Sequence, residues 1–273
     1  MYFKLLFAEN IAVKQLINRY LTSSFSVCTN HREITRIEGK KVPLYQGGYN
    51  QKILYISGVA MGRSKSQNSL AVAGAIALHL SQNSDNLFRV NVVPPGWIHI
   101  ELVDSTLAAW LQNLIVVKKS GNLLNNVFLQ QSPSSLNSLR IFTIQYAHSR
   151  CCSLLRLGYQ EGLIAWGETI PWLNSDQKLR LNHPDESFLI HQLVKVVDDL
   201  VCADGNNSIN WETVGWNLSQ AFEKFWCSCR IWGEVKIHDP ELAQARLGLL
   251  IVTQLVLKSV LEDELGIVAP EEL

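Results

Sequence analysis

The sequence predicts an α+β fold class: a small α+β domain followed by an all-α helical bundle. Three observations predict it. Two short β-like runs, FRVNVV and GWIHIEL, lie in the first half on either side of Pro94-Pro95-Gly96. The second half is filled by long stretches with apolar residues every three or four positions, the spacing of an amphipathic helix. Between the halves, residues 118–139 (KKSGNLLNNVFLQQSPSSLNSL) are rich in Ser, Asn and Gln, the composition of a linker. At 273 residues the chain is long enough for two domains, and with 47% hydrophobic residues it can bury a core in each. The expected boundaries are 1–117 for the first domain, 118–139 for the linker and 140–273 for the bundle.

In chain order, Leu5 to Leu21 has helical spacing. Residues 26–52 are mixed and turn-rich, with Gly47-Gly48 as their clearest break. Asn68 is a candidate N-cap for the alanine-rich helix NSLAVAGAIALHL, because its side-chain oxygen can accept from a free amide of the first turn. The two β runs follow, and Asp104 is a candidate cap for DSTLAAWLQNLIVV. Beyond the linker the chain reads as helical to its end. Pro184 stands where a helix-starting proline belongs, NWETVGWNLSQAFEKFWCSCR is a further helix, and Asp239-Pro240 opens the last one, stopped by Gly266. Four to six helices make a bundle the natural architecture.

The formal net charge is zero, yet the charge is unevenly divided. Residues 1–140 hold 14 Lys and Arg against 6 Asp and Glu, which is 14 − 6 = +8; residues 141–273 hold 10 against 18, which is 10 − 18 = −8. A basic half points to a nucleic-acid partner or to attraction between the two halves. Six cysteines in a chain of this length do not make a disulfide framework, so reduced thiols and a cytoplasmic location are expected. The opening residues read as the start of a helix rather than a secretory signal. No apolar run is expected to span a membrane, since Leu247 to Leu261 is interrupted by Thr253, Gln254 and Lys258.

The chemistry of many enzymes is missing. There is no glycine-rich phosphate loop, no zinc-spaced cysteine pairing beyond the lone Cys227-Ser-Cys229, and no locally assembled nucleophile and base. No catalytic residue, metal or cofactor is expected. The stretch QYAHSRCCSLLRLG, residues 145–158, holds Tyr146, His148, Arg150, Cys151 and Cys152. On a helix Ile144, Ala147, Cys151, Leu154 and Leu155 share one face, Gln145, Ser149, Ser153 and Arg156 share the other, and His148 and Arg150 flank the apolar stripe. Periodicity alone gives a half-buried bundle helix with a satisfied histidine.

This same stretch, Q-Y-A-H-S-R-C-C-S-L-L-R, resembles the opening helix of the DALR anticodon-binding domain of arginyl-tRNA synthetases, with its Y-A-H-x-R pattern at Tyr146, His148 and Arg150. L-S-Q-A-F-E-K-F-W-C-S-C-R-I, A-R-L-G-L-L-I-V-T-Q-L-V-L-K and the terminal L-G-I-V-A-P-E-E-L are similar to later parts of that domain, in the same order. In the first half, I-S-G-V-A-M-G-R-S-K, A-V-A-G-A-I-A-L-H-L and R-V-N-V-V-P-P-G-W-I-H-I-E-L resemble the additional N-terminal domain of these synthetases. Between the two pieces such enzymes carry their catalytic domain, with H-I-G-H and K-M-S-K-type motifs. Neither motif occurs here, and residues 118–139 are too few for a nucleotide-binding domain, which needs on the order of 100 residues.

The resemblance implies a protein that keeps tRNA-contacting parts without the catalysis: a non-catalytic binder of tRNA or another structured RNA, with an adaptor that presents it to another enzyme as one form of that role. It points to Trp97 and His99, in G-W-I-H, as the pair that contacts a D-loop base, Trp97 by stacking and His99 at the base edge. The alternative for Trp97 is the core of a small sheet. Lys40, Lys41, Lys52, Arg63 and Lys65 are candidate phosphate contacts as a group, although each alone reads as a solvated charge. In the bundle Arg230, Trp232 and Lys236 are candidate anticodon contacts, and Trp226 reads as packing. The jobs of Tyr146, His148 and Arg150 do not follow from the resemblance. The competing reading is a protein-interaction or assembly factor, suggested by the acidic, Trp-rich bundle.

Overall fold

The computed structural model describes residues 11–28, 42–48, 52–61, 69–119, 137–165, 167–202 and 208–273. The chain divides into two compact units, residues 1–107 and 108–273.

In the first unit, helix α1 (Val13–Cys28) buries Leu16, Ile17, Leu21 and Phe25. The part of the expected first helix before Ile11, together with Asn68 and residues 120–136 of the linker, lies outside the described residues. The strands are β1 (Leu44–Gln46), β2 (Leu54–Ser57), β3 (Phe88–Val93) and β4 (Trp97–Leu102), in the order β1-β2-β4-β3 with every pairing antiparallel. The two sequence-predicted runs thus form the β3–β4 hairpin, closed by Gly96 N–H donating to the Val93 carbonyl at 3.0 Å. Helix α2 (Ser69–Asn83) turns Ala73, Ile76, Ala77 and Leu80 inward, and small alanines let it lie close to β3 and β4. Ser69 at its start donates to the Pro95 carbonyl at 2.6 Å, tying the hairpin turn to the helix. The sheet's inner face, with Tyr55, Phe88, Ile98, Ile100 and Leu102, closes the core. A two-layer arrangement suits strands that alternate buried and half-buried residues.

Helix α3 (Asp104–Lys119) starts at Asp104 itself, in the first unit, and runs into the second. The second unit continues with α4 (Ser138–Gln160), α5 (Pro184–Cys202), α6 (Trp211–Ser228), the short α7 (Glu234–His238) and α8 (Pro240–Ser259), which ends in a π-helical turn, Val260–Glu264. Side chains cap them: Asn137 accepts from the Leu139 and Arg140 amides, Asn210 from Thr213 N–H, and Asp239 from Leu242 N–H ahead of Pro240. Helix α8 is the spine, packed by α4, α5 and α6.

Two expectations are corrected. The chain is not helical throughout its second half: the described residues between 161 and 183 run irregularly and hold an isolated β-bridge, Leu173 to Leu179. Here Gly162 and Gly167 adopt left-handed φ, and Gln112 Oε1 accepts from Ile170 N–H and Trp172 Nε1–H, which fixes the loop by side chain rather than by backbone ladder. The stretch Pro240–Glu264 is long and apolar enough to cross a bilayer, but 72% of its apolar window is buried within the protein, as in a core helix. Thr253 and Gln254, which read as interruptions, are themselves buried, the Thr253 hydroxyl donating to the Leu249 carbonyl at 2.8 Å.

Candidate nucleic-acid interface

Each unit presents one surface that carries sequence-predicted residues. In the first unit, β4 turns Ile98, Ile100 and Leu102 inward and leaves Trp97, His99 and Glu101 half-buried on the other face, as the two-residue period of a strand requires. Trp97 is therefore not core. Its indole lies against Gly58, where an added Cβ would come within 2.9 Å of the ring. The bare backbone of Gly58 covers one part of the ring while the residue stays half-buried.

Strand register fills out this face, because directly paired residues point the same way. Tyr45 pairs with Ile56, Ile56 with His99 and His99 with Asn91, making one row across all four strands. Val93 flanks Trp97, and Arg89 and Leu54 flank Glu101. Arg89 approaches Glu101 at 3.5 Å and is otherwise open to solvent. Sequence reading missed Tyr45, Arg89 and Asn91. The alternation in FRVNVV puts 89 and 91 on one face, but which face needs the pairing partner. Lys52 is engaged by Asp104 at 2.8 Å. Lys40, Lys41, Arg63 and Lys65 lie outside the described residues.

In the second unit α4 and α6 lie side by side. The Arg150 guanidinium sits over the Trp226 ring, 5.0 Å from its centroid, and Trp226 meets Trp232 edge-on at 6.1 Å. Trp226 is thus half-buried and packed between this cation and Trp232. Tyr146 is exposed and stacked on Phe142 at 6.4 Å. Arg140 lies over Trp216 at 5.6 Å and reaches Thr213 and Glu212. Trp232 Nε1 is buried with no hydrogen-bond partner among the described residues. Arg230 is exposed, with its carbonyl accepting from Arg246. Lys236 is bound to Glu161 at 2.6 Å. The structure thus brings Trp232 together with Trp226 and Arg150, and turns Lys236 to an intramolecular partner.

His148 is 1% exposed and faces the protein, not a surface. Its Nδ1 lies 2.8 Å from the Pro270 carbonyl, and its Nε2 lies 2.7 Å from the Gln254 amide nitrogen. A neutral ring with the proton on Nδ1 satisfies both: Nδ1–H donates and Nε2 accepts. The Ser149 hydroxyl donates to the same Pro270 carbonyl, Gln145 to the Val268 carbonyl, and Arg156 pairs with Glu272 at 3.0 Å. The face of α4 that reads as polar is therefore the bed of the 268–272 tail, which is why Ser149 is buried.

Cys151 is buried and Cys152 half-buried, consistent with their adjacency on a helix, and all six cysteines are free thiols. Burial raises the Cys151 pKa well above its usual range, and burial followed by the Glu186 charge pushes Cys229 up to about 12.

Residues 144–273 match the family model of the DALR anticodon binding domain. The chain is 34% identical to an arginine–tRNA ligase from Synechococcus sp. (strain JA-3-3Ab) over 134 residues, which is 48% of this chain and 22% of that protein. It is 30% identical over 175 residues to the arginine–tRNA ligase of Ruminiclostridium cellulolyticum, covering 64% of this chain and 29% of the relative. For that of Moorella thermoacetica the identity is 31% over 160 residues, 58% of this chain and 26% of the relative. The matched part thus spans 22–29% of the length of these curated relatives. No solved structure matches the chain.

Proposed function

We propose that this chain, whose residues 144–273 match the DALR anticodon binding domain, is a non-catalytic tRNA-binding protein that presents its RNA to another enzyme. The observation that carries the reading is the coexistence of that domain with Trp97 and His99 on the open face of a sheet in a +8 half of the chain. An indole is a stacking platform worth about 1–3 kcal/mol per base. Basic residues supply the sequence-independent attraction to phosphates. In the acidic unit, Arg150, Trp226 and Trp232 offer a second aromatic–cationic surface.

The test is a titration of the chain with unfractionated tRNA at two salt concentrations, about 0.05 and 0.2 M, over which phosphate-driven binding falls steeply. Binding that weakens with salt and with Trp97→Ala, and exceeds that to a random duplex, supports the reading. Equal affinity for the duplex rejects it.

A protein-interaction role has its own supporting observation: Leu139, Phe142, Tyr146 and Leu157 are exposed along one side of α4. Scattered exposed apolar residues are ordinary, but a stripe on one helix face marks interaction surfaces. Co-purification of a defined protein that survives ribonuclease treatment would favour this role over RNA binding.

A further inference from the structure

We infer that the open face of the sheet holds two splayed, unpaired RNA bases, with Tyr45 as the second stacking surface and Asn91 as a base-reading residue beside His99. This inference rests on the RNA-binding reading above and specifies the ligand as a loop or single strand. Its starting point is the row Tyr45–Ile56–His99–Asn91, with Trp97 one step along β4 from His99 on the same face.

Four side chains of this face have unused hydrogen-bonding capacity. Tyr45, Asn91, Trp97 and His99 make no side-chain hydrogen bond to any described residue, although each carries a donor. Tyr45 is 62% exposed. An amide and an imidazole side by side offer donors and acceptors at matching height, the combination that reads a base edge. Between them and Tyr45, Ile56 supplies an apolar floor. Arg89, on the neighbouring row, is loosely held by Glu101 at 3.5 Å with 69% of its side chain exposed, so it is available to a phosphate.

Geometry sets the ligand class. Strands lie about 4.8 Å apart and residues on one face repeat about every 6.7 Å along a strand. Tyr45 sits two strands from β4 and Trp97 two residues from His99, so the two rings are about 12 Å apart at their backbones. Bases stacked in a helix lie about 3.4 Å apart along one strand. A duplex therefore cannot seat bases on both rings, whereas an unpaired loop can splay them. The basic excess of residues 1–140 favours this polyanion over an acidic or neutral peptide.

The experiment uses the full chain and a library of hairpin transcripts randomised at two adjacent loop positions, read by fluorescence anisotropy and by sequencing of the bound fraction. Tyr45→Ala is expected to weaken binding about 5- to 150-fold, the range of one lost base stack, while Tyr45→Phe retains it. Asn91→Ala is expected to flatten base preference at one of the two positions. Both residues are exposed, so circular dichroism should report an unchanged fold. If Trp97→Ala weakens binding while Tyr45→Ala and Asn91→Ala change neither affinity nor preference, the site takes one base and the inference is overturned. If none of the three matters, the sheet is not an RNA surface and the functional reading fails with it.

Discussion

His148 reaches across 122 residues of sequence to hold the Pro270 carbonyl at 2.8 Å, while Gln254 engages the other ring nitrogen. The histidine of the Y-A-H stretch is thus a clasp between α4, α8 and the tail. His148→Ala leaves the Gln254 amide buried without this partner and removes one of two donors from Pro270. The expected loss is about 1–3 kcal/mol, with faster hydrogen exchange at residues 267–271. Urea denaturation measures the first; an unchanged midpoint would mean that Ser149 and Arg156 suffice.

A second buried contact supports α5. Glu186 accepts from the His183 amide at 2.8 Å, as the third residue of a helix does in a capping box, and takes Arg246 Nε–H at 2.6 Å with its other oxygen. Its side chain is fully buried. Arg246→Met therefore strands a buried carboxylate and is expected to cost about 3–5 kcal/mol. The double variant Arg246→Met, Glu186→Gln should recover a large part of that loss in thermal unfolding; failure to recover would show that packing of the arginine stem dominates.

Gly58 is the seat of Trp97. A valine there would drive branched carbons into an indole already 2.9 Å from the position of Cβ. If RNA stacks on Trp97 as proposed, Gly58→Val should lower RNA affinity nearly as much as Trp97→Ala while the far-ultraviolet dichroism stays unchanged. Wild-type affinity in that variant would show that the ring's position is unimportant to binding.

His191 is buried on α5, and its pKa is lowered first by burial and then by the Lys195 charge. The unfolded chain takes up this proton near its ordinary pKa of about 6.5, whereas the folded chain does so only at lower pH. In that window the unfolded state holds more protons, so stability falls as pH drops below about 6.5. His191→Gln should reduce the loss of denaturation midpoint between pH 7.5 and 5.5. A slope identical to wild type would place the acid sensitivity elsewhere.

Thiol reactivity should follow burial. Cys227 is exposed, while Cys151 is buried with a raised pKa and Cys229 is pushed up to about 12. A thiol reagent at neutral pH is expected to label Cys227 in the folded protein and leave Cys151 and Cys229 until denaturant is added. Early labelling of Cys229, detected by peptide mass, would show that the end of α6 opens readily.

Local chemistry made most of the elements legible. Pro184, Asn210 and Asp239-Pro240 mark helix starts because caps and ring geometry act within one turn. The Pro94-Pro95-Gly96 break between alternating runs marks the hairpin. The period of β4 puts Trp97 and His99 on one face without knowledge of the fold. The loop at 161–183 was not legible, since Gln112 holds it from 58 and 60 residues away. Nor was the row from Tyr45 to Asn91, because a strand's period says which residues share a face but not what lies beside them. His148 shows the same limit: spacing predicts a satisfied histidine but cannot name Pro270.

Helix α8 combines an apolar surface suited to lipid with cover by neighbours over 72% of its apolar window. The cover is close: an added Cβ at Gly248 would meet the Trp172 ring at 2.7 Å. Every long element that wraps α8 precedes it in the chain. During synthesis its most sticky segment therefore leaves the ribosome after its cradle has been made. The interval in which it could be captured by a chaperone or a bilayer is kept short, and moving α8 ahead of α4 by circular permutation should lengthen that interval and lower the soluble yield.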